Sequence, residues 1–150
     1  MNFECTTPED TIEFGRSLGR ELRAGDLVLL AGPLGAGKTT LTRGIAEGLG
    51  VSGRVSSPTF VLARVHPGPV PLVHVDAYRL GGDLAQLDDL DLDTDLEASA
   101  VVVEWGEGSA DRLSIDHLVV RLSRAEDDVR TITLEPHGSW HSRTPLLPTP

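Results

Sequence analysis

Apolar residues at Ile12, Phe14, Leu18 and Leu22 recur at roughly helical spacing through residues 8–23, which predicts an amphipathic helix. Thr6 or Thr7 stands before it as a candidate N-cap, and Glu9 and Asp10 place negative charge in its first turn. Gly25-Asp26 then breaks the pattern, and Leu27-Val28-Leu29-Leu30-Ala31 is an uninterrupted apolar run suited to a buried strand. Residues 32–37 form a glycine-rich turn, and residues 38–49 follow as a second helix that closes near Gly48 or Gly50. Further strands are expected at residues 60–65, at 70–75 running into Asp76, and at 100–103 running into Glu104 and Trp105. Between the last two, Gly81-Gly82 opens an acidic segment, residues 83–97, whose leucines suggest one or two short helices. Residues 117–122 and 130–134 read as a closing antiparallel pair across the acidic turn Glu126-Asp127-Asp128. The remainder, residues 137–150, holds three prolines and little apolar pattern, and is expected to be a disordered tail. Strands alternating with helices predict an α/β layered domain over residues 1–136, and the late strand pair makes its sheet mixed rather than purely parallel.

The turn between the first strand and the second helix reads Gly32-Pro33-Leu34-Gly35-Ala36-Gly37-Lys38-Thr39. That is the phosphate-loop pattern, in the strand–turn–helix context the pattern requires. A phosphate chain must lie directly against backbone N–H groups, so side chains at the glycines would obstruct it. The helix start adds unpaired N–H groups and a partial positive charge. Gly35, Ala36, Gly37, Lys38, Thr39 and Thr40 are the expected nucleotide-binding residues, with Lys38 reaching the terminal phosphates and the Thr39 hydroxyl ligating magnesium. The fold class is then a P-loop NTPase-like three-layer α/β domain with a mixed, mainly parallel central sheet. Such a loop needs a carboxylate at a neighbouring strand end, and both Asp76 and Glu104 end apolar runs. The residues alone leave open which of them serves the metal.

Other positions near these motifs are candidates with ordinary alternatives. Thr59, in Ser56-Ser57-Pro58-Thr59, could sense the terminal phosphate or simply enter a strand. His74 precedes Asp76 by two and would share its strand face, although a lone histidine is more often structural. Tyr78, Arg79 and Trp105 could face the nucleotide, a partner or the core. The guanine-selecting Asn-Lys-x-Asp pattern is absent, since Asn2 is the only asparagine and Lys38 the only lysine. The base is therefore expected to be adenine.

Composition narrows the class of partner. The chain has 150 residues, enough to bury one core. Its 13 basic residues face 23 acidic ones, a net charge of -10 that argues against direct capture of a nucleic acid backbone. Lys38 carries a specific task in a chain that otherwise uses arginine for positive charge. The single cysteine, Cys5, excludes an intramolecular disulfide and a cysteine zinc cluster, and is expected to be a surface or half-buried thiol. The polar start of the chain has no export pattern, and no stretch approaches the roughly 20 apolar residues of a membrane span. A cytoplasmic location without membrane contact is expected.

Several segments together resemble one family. Gly35-Ala36-Gly37-Lys38-Thr39-Thr40-Leu41-Thr42-Arg43-Gly44, Ser57-Pro58-Thr59-Phe60, His74-Val75-Asp76-Ala77-Tyr78-Arg79-Leu80 and Val103-Glu104-Trp105 are similar in order and spacing to the bacterial tRNA threonylcarbamoyladenosine biosynthesis protein TsaE family. The resemblance covers residues 7–134. It implies an ATPase subunit, using ATP and Mg2+, of the machinery that modifies the adenosine beside the tRNA anticodon. It further implies TsaD-like and TsaB-like transferase proteins as partners, with tRNA met only indirectly. Carried over by position, Lys38 contacts phosphate, Thr39 and Glu104 are linked to the metal, Asp76 acts on the attacking water, and Thr7 lies near the adenine. The family loop commonly has an aspartate where this chain has Pro33. The competing readings are a small-molecule kinase and a nucleotide-sensing module that does not hydrolyse. Against the kinase, the chain shows no arginine-bearing lid and little length for an acceptor pocket.

Overall fold

The computed structural model describes residues 2–32, 37–51, 63–76, 98–104, 116–124 and 129–143, with backbone alone at 2, 63, 64 and 76. Strand β1 (Asn2–Cys5) leads into helix α1 (Pro8–Glu21), strand β2 (Leu27–Ala31) and helix α2 (Lys38–Leu49). Strands β3 (Ala63–His66), β4 (Leu72–Asp76), β5 (Ala100–Glu104), β6 (His117–Arg124) and β7 (Arg130–His137) follow, and a short helix α3 (Trp140–Arg143) ends the described chain. The strands make one sheet in the order β1-β7-β6-β2-β5-β4-β3. At its centre β6, β2, β5 and β4 run parallel. Antiparallel pairs complete both edges, β3 on β4 at one side and β7 and β1 at the other. The mixed α/β sheet expected from the sequence is the one observed. Both β2 and β5 are buried at every residue, as parallel strands covered on two faces must be.

Helix α1 buries Thr11, Phe14, Gly15, Leu18 and Gly19, a stripe spaced three and four apart. The two glycines in that stripe set how closely it meets α2. A Cβ at Gly15 would stand 2.5 Å from the Leu41 carbonyl oxygen and 2.9 Å from the Gly44 Cα. One at Gly19 would press on the Ile45 carbonyl oxygen and lie 3.0 Å from the Gly48 Cα. Gly15 thus faces Gly44 and Gly19 faces Gly48. The ascending order on both helices makes them parallel, so their N-termini lie side by side. Backbone touches backbone along this seam. Among the described residues no helix is long and apolar enough to cross a membrane.

The start of α1 is closed by its own residues. Thr7 is the N-cap; its hydroxyl accepts from the Asp10 N–H at 3.1 Å. The Asp10 carboxylate in turn accepts from the Thr6 hydroxyl at 2.9 Å and from the Thr6 and Thr7 N–H groups at 3.1 and 3.3 Å. These bonds, the Thr6 hydroxyl first, hold the Asp10 carboxyl below the usual carboxylate pKa. A carboxyl lowered by folding stabilises the fold above its unfolded pKa, and that contribution is lost as pH falls through the folded value. Asp10→Asn should therefore lower the melting temperature at neutral pH, with the gap to the parent narrowing in acid. Melting curves taken at stepwise lower pH check this; a gap that stays constant would contradict it.

Four features depart from the sequence expectation. Residues 2–5 form an edge strand that polar composition concealed: Phe3 and Cys5 alternate inward, and the Phe3 ring packs 4.8 Å from that of Phe14. Cys5 is consequently buried at 4% exposure rather than at the surface, and burial pushes its thiol pKa up. Strand β4 begins at Leu72 rather than 70, and the closing pair is longer than expected, through Arg124 and His137. Pro136 lies beyond the stretch of β7 that β1 pairs, Arg130 to Thr133, so β7 is an edge there among the described strands, where a proline is tolerated.

The tail expected from residue 137 instead stays with the fold through Arg143. Trp140 is 1% exposed in the core, and the Arg143 guanidinium lies 3.9 Å over its ring. Arg143 also grips both Asp26 carboxylate oxygens at 2.6 and 2.9 Å and donates to the Glu21 carbonyl at 2.7 Å. One large aromatic and one bidentate arginine suffice to dock this segment, and neither makes a periodic pattern. The acidic segment 83–97 lies outside the described residues.

Candidate functional site

The two parallel helices begin differently. Helix α1 has a complete capping box and two acidic residues in its first turn, whereas α2 has no side-chain cap and no acidic residue there. Its N-cap is Gly37, at φ 105° in the left-handed region that a side chain makes costly. A helix start with no side-chain cap and no acid of its own presents its positive end to an external anion. Lys38, only 6% exposed, folds back so that its Nζ donates to the Gly32 carbonyl at 2.7 Å. The one lysine therefore lies across the mouth of the turn. Thr42 completes the first turns from inside, its hydroxyl donating to the Lys38 carbonyl at 2.9 Å.

The turn leaves the C-terminal end of β2, which pairs in parallel with β5. Glu104 ends β5 and Asp76 ends β4, and the two are Cα partners in the parallel ladder. The sheet thereby delivers both acids to one edge, beside the phosphate loop. Glu104 is 4% exposed and reaches α2: the Thr39 hydroxyl donates to its Oε1 at 3.3 Å. On its other side the fully buried His74 has Nε2 3.4 Å from Glu104 Oε2. For Asp76 the backbone alone is described, next to Glu104.

A small cleft, partly open to solvent, lies between the starts of α1 and α2, lined by Thr7, Pro8, Thr11, Gly37, Thr40 and Arg130. The parallel glycine seam is what brings these two helix starts together. Thr7 accordingly stands across from Gly37 and Thr40, although its hydroxyl is already engaged in capping. Arg130 opens β7 and lies close under the turn, with its Cγ and Nε 3.9 Å from where a Gly37 Cβ would be.

Of the residues expected at the site, Gly37, Lys38, Thr39, Thr40, Thr7 and Glu104 are gathered around this edge and cleft, with the Asp76 backbone beside them. Gly35 and Ala36, the variant position Pro33, and Thr59, Tyr78, Arg79 and Trp105 lie outside the described residues. Sequence reasoning did not mark Thr11 or Arg130, which carry no pattern of their own. It noted His74 but had no sign that its ring would meet Glu104. Among the described residues no three His, Cys, Asp or Glu side chains gather as a metal cage. A hydroxyl and one carboxylate beside an anion-binding turn fit magnesium, which keeps several waters and shares its coordination with phosphate.

The model of the family described as threonylcarbamoyl adenosine biosynthesis protein TsaE matches residues 5–132. The chain belongs to the TsaE family. It is 61% identical over 130 residues to a tRNA threonylcarbamoyladenosine biosynthesis protein TsaE of Streptomyces coelicolor, covering 81% of this chain and 87% of the relative. The TsaE protein of Bacillus subtilis is more distant, 36% identical over 141 residues, with 93% of this chain and 87% of that one covered. The crystal structure of Bacillus subtilis YdiB superposes with a TM-score of 0.82 at 31% identity, covering 97% of this chain and 93% of that one. The family match and the solved structure agree with the mixed α/β fold described above.

Proposed function

We propose that this chain binds ATP with Mg2+ and hydrolyses it as a cytoplasmic ATPase subunit serving threonylcarbamoyladenosine modification of tRNA beside the anticodon. The observation that carries this reading is the contact between Thr39 and Glu104 at the uncapped start of α2, with Lys38 across the mouth of the same turn. The backbone of residues 35–37, with Thr40, receives the phosphates, and Lys38 supplies the point charge they require. Thr39 and Glu104 hold Mg2+, which neutralises phosphate charge and orients the reacting group when bound. Asp76 orients and polarises the attacking water. Thr7 and the cleft beside it take the adenosine half.

TsaD-like and TsaB-like transferase proteins are the partners in this reading. A net charge of -10 suits docking on a basic protein surface or a protein–tRNA assembly, and makes the tRNA an indirect contact.

The roles given to the two acids are separable. Glu104→Ala should weaken Mg2+-dependent nucleotide affinity by about tenfold or more, because a buried metal-linked carboxylate is lost. Asp76→Ala should keep that affinity and lower turnover by about 10²–10⁴, the usual worth of a positioned base. Nucleotide titrations at graded Mg2+, with single-turnover rates in both variants, decide the assignment, and the reverse ranking exchanges the roles.

A further inference from the structure

His74 is fully buried, and neither ring nitrogen has a hydrogen-bond partner among the described residues. A buried polar group left unpaired is destabilising, because it has given up its bonds to water. The fold does not need this ring: β4 would be better served there by an aliphatic side chain like its neighbours Leu72, Val73 and Val75, all buried at 1% exposure or less. Among the described residues the polar group that the ring meets is Glu104, with Nε2 3.4 Å from Oε2. The opposite oxygen, Oε1, takes the Thr39 hydroxyl. Glu104 therefore stands between a helix residue and a strand residue, one on each oxygen.

We propose that His74 is the positioning residue of the metal-linked carboxylate. Its Nε2–H holds Glu104 Oε2 on the β4 side, so that Oε1 remains turned to Thr39 and to the water shell of the ion. The inference rests on the assignment of Glu104 to Mg2+ made above, and deepens it by naming what fixes that carboxylate. At 3.4 Å the contact is longer than a good hydrogen bond, and in this proposal it shortens when nucleotide and ion bind. A carboxylate that ligates through water has two equivalent oxygens and free rotation unless one is held. Partners behind a ligand of this kind are typically worth 10–100-fold in metal affinity or activity.

Two substitutions and one spectrum test this. His74→Leu keeps the bulk, removes the donor and removes the unpaired nitrogens, so the protein should melt at or above the parent temperature. Its nucleotide affinity without Mg2+ should match the parent, while the gain on adding Mg2+ falls by about tenfold. His74→Gln, whose amide nitrogen can stand where Nε2 stands, should recover most of that gain. In the unloaded parent protein, nitrogen NMR of the ring should show the proton on Nε2. A His74→Leu protein with an undiminished Mg2+ gain, or a ring protonated on Nδ1 alone, would overturn the proposal. A loss of affinity equal with and without Mg2+ would also overturn it, by showing a structural role. A parent protein that binds ATP with no Mg2+ gain would fail the Glu104 assignment itself, and is thus distinguishable.

Discussion

Gly44→Ala and Gly48→Ala are expected to destabilise the protein severely, in the opposite direction to helix propensity. Exchanging an interior helix glycine for alanine normally gains about 1 kcal/mol. Here the new Cβ of Gly44 would collide with the Ile12 carbonyl oxygen and lie 2.9 Å from the Gly15 Cα. At Gly48 the obstacles are the Arg16 carbonyl oxygen and the Gly19 Cα, the latter again at 2.9 Å. All of these are backbone atoms of a packed helix, which cannot turn aside as a flexible side chain would. Overpacking a core commonly costs about 1–3 kcal/mol and sometimes more, and a clash of backbone with backbone belongs at the upper end. The helices must separate, and the cleft between their N-termini widens with them. Chemical unfolding should show a loss of about 3 kcal/mol or more, with nucleotide affinity falling further than stability alone explains. A stabilised Gly48→Ala protein would mean that the two helices are not seated as described.

Lys38→Ala should abolish productive ATP binding while leaving the fold in place. The ammonium bonds the Gly32 carbonyl in the turn, and the strands and helix that carry the turn do not depend on its charge. What disappears is the compact cation in a turn already shaped for anions, and a triphosphate has no substitute for it in a chain with no other lysine. Calorimetric titration with ATP and Mg2+ should give no measurable heat of binding at concentrations that saturate the parent. Circular dichroism and melting should stay near those of the parent. Equal ATP turnover by a folded Lys38→Ala protein would remove the site assignment altogether.

The fold was most legible where one physical signal dominated. The run Leu27–Ala31 and the helix Lys38–Leu49 fell where the apolar run, the glycine turn and the terminal glycine placed them. Both strand-end acids arrived at one edge because parallel strands ending in carboxylates must align them. The sequence did not reveal that the helices touch through glycine. Gly15, Gly19, Gly44 and Gly48 are spaced by four, and that spacing was the signal available for a close parallel seam. Strand β1 escaped because Phe3 and Cys5 are its two apolar residues, too short a span to show alternation. The docked end of the chain escaped because Trp140 and Arg143 act as single anchors, and anchors have no period. Arg130 reached the cleft by β7 registering on Cys5 and Arg124, a tertiary consequence that no local pattern announces.

The proposed ATPase site is one that we expect partner proteins to complete. A supplied arginine at such sites can be worth roughly 10³–10⁵ in rate. Phosphate release should be followed for the isolated chain with ATP and Mg2+, then with the TsaD-like and TsaB-like proteins of the same cell added together. The account predicts slow release alone and marked stimulation by the pair, abolished by Lys38→Ala. Full activity of the isolated chain, unchanged by the pair, or phosphate appearing on a small-molecule acceptor, would contradict it.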